Sequence, residues 1–139
     1  MTESEVKQNS WGLGKIGAIA AVGSALANLV FMIVSSSYAA VPDTFAPLTP
    51  VPVIIWSVIG AFGAVGTFAL VRKFSTTPGR TFNIIAAVVL VLSFYPDVAI
   101  AGIAEGPFAG ATTGAIIVLM VMHVVSYAIV VPMINKLAL

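Results

Sequence analysis

The stretch VLMVMHVVSY, residues 118–127, carries His123, the one histidine of the 139-residue chain. Three chemistries are open to an imidazole in such apolar company: axial ligation of a haem or chlorin metal, handling of a proton or a substrate, or a hydrogen bond that joins two helices. At about 100° per residue, Thr112, Ile116, Met120, His123, Ser126 and Tyr127 share one helix face. A second polar group, Asn28, falls inside another apolar stretch at a matching depth. A buried amide or imidazole without a partner carries a penalty of about 1–3 kcal/mol. Asn28 and His123 are therefore candidates for each other, with Ser126 and Tyr127 as further intramembrane polar contacts. The imidazole is expected to be neutral, donating from one ring nitrogen and accepting at the other.

The rest of the chemical inventory is thin. Without cysteine, disulfides, thiolate nucleophiles and cysteine-ligated metals are removed. There is no second histidine for a metal site, and no serine lies in a G-x-S-x-G elbow. Asp43, Asp97 and Glu105 are assigned to connections outside the hydrocarbon. These features predict no enzyme, no catalytic residue, no metal site and no cofactor, with a haem or chlorin on His123 as the single exception. The expected absence of a mid-membrane Asp, Glu, Lys or Arg argues against an ion-coupled transporter. A passive pore or a groove for a small molecule or lipid stays open.

Hydrophobic residues make up 60% of the chain and charged residues 8%, where a soluble domain has about 25% charged. Such a composition belongs in a bilayer. Four apolar runs, at 16–38, 52–71, 81–95 and 113–134, are each read as a helix crossing about 30 Å of hydrocarbon. They are apolar on all sides rather than alternating, so spanning helices, not a barrel, satisfy their backbone groups. The fold predicted is one all-α transmembrane domain over 1–139. The third run is the shortest, and its outer end, before or beyond Pro96 in "PDVAIAGI", is the least determined boundary. "SSSYAAVP" after the first run resembles a signal-peptidase site, but that run exceeds the usual apolar core of a signal peptide, so it is read as a retained helix.

Charge sets the orientation. Lys7, Lys15, Arg72, Lys73, Arg80 and Lys136 all fall in the N-terminal tail, the second connection or the C-terminus. The other two connections hold only acids, so both termini are placed in the cytoplasm. The basic residues read as topology signals, not as a nucleic-acid or specific lipid site, since the latter gathers 4–8 of them in one cluster. Pro42, Pro47, Pro50 and Pro52 predict a stiff, extended first outer connection. The second, "PDVAIAGIAEGPFAGATTG", reads as a re-entrant or interface-lying segment, and Gly102, Gly106, Gly110 and Gly114 recur at a spacing that would suit a packing ridge were Pro107 not among them.

Lipid supplies little hydrophobic force between helices, so small residues and polar contacts hold them together. The first helix carries such a stripe in Gly17, Ala21, Ser24, Asn28 and Ser35, the second in Ser57, Gly60, Ala61, Ala64 and Thr67, and the third in Asn83, Ala86, Ala87, Ser93 and Phe94. Gly63 and Gly66 point away from the second stripe and are available to a neighbour.

The segments "APLTPVPV", "RKFSTTPGRTF", "VVLVLSFYP" and "MHVV" together resemble a family of small, uncharacterised bacterial four-span membrane proteins. The resemblance covers about residues 15–132 and implies four spans and a location in the bacterial inner membrane. It carries no activity, cofactor or catalytic residue. The function expected is non-enzymatic and exercised through helix packing in the lipid bilayer, as a homo-oligomer or as an accessory subunit among other membrane chains. A small-molecule or lipid-binding protein or passive permease, with its cavity between Asn28 and His123, is the alternative, and a pigment- or haem-binding subunit is a third.

The one-sided charge distribution has a direct test. Single cysteines at Thr44 and Ala104 should react with an impermeant thiol reagent added outside intact cells, and cysteines at Ser4 and Thr76 should not. Labelling at position 76 reverses the orientation.

Overall fold

The computed structural model describes residues 12–139; Ser4 and Lys7 lie outside the described residues. Four helices, α1 (Leu13–Ser36), α2 (Pro50–Phe74), α3 (Pro78–Ala99) and α4 (Thr113–Ala138), follow one another with no strand among the described residues. Each is long and apolar enough to cross a bilayer. Leu13, Val71, Phe82 and Ala138 pack in one cluster, so the start of α1, the end of α2, the start of α3 and the end of α4 share one end of the bundle. Lys15, Arg72, Lys73, Arg80 and Lys136 belong to that end, and Asp43 and Glu105 lie in the connections at the other.

The helix limits differ from those read off the sequence in two instructive places. Pro50 and Pro52 stand in the first turn of α2 and not in a loop, because the N–H that proline lacks has no intrahelical partner there in any case. What remains of the first outer connection is not extended: it turns through Ala40 at φ 49° and forms a short 3-10 turn over Ala46–Leu48. Its apolar residues Phe45 and Leu48 are buried against Met32, Val53, Ala115, Val118 and Met122. The second difference is at α3, which continues through Pro96 to Ala99. Proline's fixed φ suits a helix and removes only one of its bonds, and the Ile100 N–H still reaches the Pro96 carbonyl at 3.3 Å. Asp97, expected in a connection, is thereby a helical residue and only 7% exposed.

Residues 100–112 form turns, with neither a re-entrant helix nor a glycine ridge. Gly102, Gly106 and Gly110 have φ of 78°, 84° and 82°, a left-handed conformation that glycine adopts without strain. Their even spacing thus repeats a turn, not a helical face. Thr112 closes this connection onto α4: its hydroxyl accepts from the Ala115 N–H and donates to the Ala40 carbonyl, each at 3.1 Å.

Tight contacts show where bulk is excluded. A Cβ on Gly17 would come within 3.0 Å of the Phe62 ring and 3.4 Å of Val65, which brings α1 close to α2. One on Gly114 would run into the Ala39 carbonyl. The Phe62 ring can shift, but a backbone carbonyl tied into a turn cannot. By contrast, a Cβ on Gly60, Gly63 or Gly66 meets nothing within 4 Å.

Gly114→Ala should therefore destabilise the fold by about 1–3 kcal/mol. Gly66→Ala should be neutral or stabilising by about 0.5–1 kcal/mol, since alanine is the better helix former. Denaturant titration in detergent micelles measures both. Equal stability of the two variants contradicts the close approach of α4 to the first connection.

Candidate functional site

The small-residue face of α1 brings Asn28 to the junction of three helices. Asn28, 3% exposed, donates from Nδ2 to the Ser57 hydroxyl of α2 at 3.0 Å and to the Ser126 hydroxyl of α4 at 2.8 Å. Ser126 also accepts from the Ser24 hydroxyl at 2.9 Å. Interhelical hydrogen bonds of this kind average about 0.6 kcal/mol, so the cluster chooses a geometry more than it supplies stability. Gly17, Ala21, Ser24, Ser57 and Asn28 are all buried on this seam. The pairing of Asn28 with His123 does not form. Ser126, one turn deeper on the same face of α4, takes the amide instead.

His123 has other partners. Its Nδ1 lies 2.9 Å from the Leu119 carbonyl oxygen and 3.1 Å from Asp97 Oδ2. A single ring hydrogen points along one of these directions, and the carbonyl receives it; Asp97 Oδ2 stays in contact, buried and with no hydrogen-bond donor among the described residues. Two acceptors at one nitrogen place the hydrogen on Nδ1. Sequence reading missed Asp97 by placing it in the connection after the third run, whose end near Pro96 it left open. The signal was present: Ala86, Leu90, Ser93 and Asp97, spaced by four, three and four, continue one helical stripe.

Beside this pair runs a groove of about 350 Å³. One wall is α2, at Gly60, Gly63, Ala64 and Thr67; the other is α3, from Phe82 to Ser93; His123, Ser126 and Tyr127 of α4 form the floor. It exists because α3 packs thinly. Only Phe82 and Asp97 of that helix are buried. At the basic end the Phe68 and Phe82 rings meet edge to face, centroids 5.3 Å apart and planes at 82°, and join α2 to α3. Toward mid-bundle the glycines of α2 leave space. Gly60, Gly63 and Ala64 thus line the groove, and Gly66 is exposed away from it.

Asp97, His123 and Ser126 carry the residue types of a Ser-His-Asp triad, but not its geometry. The nucleophile in a triad is hydrogen-bonded to the imidazole. Ser126 Oγ is engaged by Asn28 and Ser24, and no hydrogen bond joins it to His123 among the described residues.

The four apolar helices define a multi-pass, all-α integral membrane protein. The chain belongs to a family of unknown function, DUF6069, whose family model matches residues 9–138. No curated protein and no solved structure matches it.

These contacts set a double-mutant test. Asn28→Val and Ser126→Ala should couple by about 0.5–3 kcal/mol, whereas Asn28→Val and His123→Leu should add within about 0.5 kcal/mol. Stronger coupling of Asn28 to His123 than to Ser126 contradicts the cluster described.

Proposed function

We propose that this chain is a non-catalytic membrane protein that holds a small apolar or amphipathic molecule in the lateral groove between α2 and α3. The observation that carries this reading is an apolar slot, open sideways, with an imidazole at its mid-bundle end. Ligand sites are concave and mostly apolar, with a few placed polar groups. Its volume is at the small end of the usual range of about 300–1,000 Å³, which favours a slender chain over a tetrapyrrole on His123. The charge distribution supports placing the basic end, and with it both termini, in the cytoplasm of a cell whose inner membrane holds the protein.

Assembly, as a homo-oligomer or as a subunit of a larger membrane complex, is the second reading. It is favoured by the open faces of Gly63 and Gly66, where a close helix would meet no side chain.

Native mass spectrometry after gentle extraction separates the two. Gly63→Phe, at a groove position where an added Cβ meets nothing within 4 Å, should remove a bound apolar molecule, while Gly66→Phe, on the outward face, should retain it. A parent that carries no bound mass, or the same mass bound in both variants, rejects the groove reading. A second chain lost from both variants favours assembly.

A further inference from the structure

We propose that the mid-bundle end of the groove recognises the hydroxyl group of a slender, uncharged alcohol, with His123 Nε2 as its acceptor. This rests on the groove being a ligand site, as proposed above. The Leu119 carbonyl and the Asp97 carboxylate hold Nδ1 from one side, at 2.9 Å and 3.1 Å. A carbonyl oxygen has no hydrogen to give, so Nδ1 carries the proton, and a neutral ring held this way offers Nε2 as a lone-pair acceptor. No described residue donates to Nε2, and the side chain is 39% exposed where it lines the groove. Two hydroxyls near the ring are engaged elsewhere. Ser93 donates to the Leu90 carbonyl at 2.6 Å, and Ser126 is taken by Asn28 and Ser24. His123 Nε2 is therefore an unfilled acceptor in the groove among the described residues.

Depth limits the ligand. Thirteen residues separate His123 from Lys136, about 20 Å of helix, so a phospholipid head anchored among the basic residues does not reach the ring. A charged head would have to leave water altogether. The head must be small and neutral, and it must bring a donor to an acceptor. A hydroxyl does so; an ether of the same shape brings only another acceptor. The tail lies along α3 from Ser93 toward the Phe68–Phe82 pair, about 16 Å, between walls that are apolar apart from Thr67.

The test uses the full chain in phosphatidylcholine vesicles with two photoreactive probes, a dodecanol carrying a diazirine on its chain and the methyl ether of the same compound. The alcohol should label groove peptides of α2 and α3 about 3–10-fold more than the ether, the ratio one net hydrogen bond confers. In His123→Phe the two probes should label equally. Equal or reversed labelling of the groove in the parent overturns the hydroxyl proposal and leaves the groove standing. A preference that survives in His123→Phe overturns the assignment to Nε2. Labelling of the groove by neither probe overturns the groove reading itself.

Discussion

An amide in hydrocarbon must find partners within the protein, and Asn28 finds them on two other helices. That requirement organises the bundle. The amide bridges Ser57 and Ser126 only if α1, α2 and α4 meet at one level, and the buried small residues Gly17, Ala21 and Ser24 let α1 come close enough. Each bond is worth little against lipid, where unfolded helices find partners too. Leaving the groups unpaired costs about 1–3 kcal/mol, so packings that separate the three are disfavoured. The third helix is outside this arrangement. α3 is held at its basic end by the Phe68–Phe82 contact and farther along by Asp97 against His123, and the groove is the space between these two attachments.

The spans were legible because apolar runs without charge have one solution in a bilayer, and the inward line of α1 because its small and polar residues repeat at helical spacing. Proline was the main source of misreading. Pro50 and Pro96 look like breaks on paper, yet one opens α2 and the other lies within α3. Assigning Asp97 to the connection, with the end of the third span near Pro96 left open, hid the partner of His123. The glycines of residues 100–112 misled for a different reason, since a repeat of four suits both a helical ridge and a series of left-handed turns. Gly60 and Gly63 were ambiguous in principle: a closely packed neighbour and an open groove both require a missing side chain, and only the position of α3 distinguishes them.

The site follows from the same economy of polar groups. Five side chains, Ser24, Asn28, Ser57, Ser126 and His123, carry hydrogen-bonding groups in the middle of the bundle, and four of them bond to one another, leaving Asn28 Oδ1 buried without a donor among the described residues. His123 is set apart, turned to Leu119 and Asp97 on one edge and to the groove on the other. The serine one turn away, Ser126, is already engaged by Asn28 and Ser24.

On the groove reading proposed above, the space between α2 and α3 belongs to the lipid phase and is not an aqueous pore. A nitroxide attached at position 63, where an added Cβ meets no neighbouring atom within 4 Å, measures this by power-saturation electron paramagnetic resonance in reconstituted membranes. A lateral groove predicts relaxation dominated by oxygen, which concentrates in hydrocarbon, with little effect from a water-soluble nickel chelate. Dominant relaxation by the nickel chelate would mean a water-filled passage along α2 and would contradict the groove.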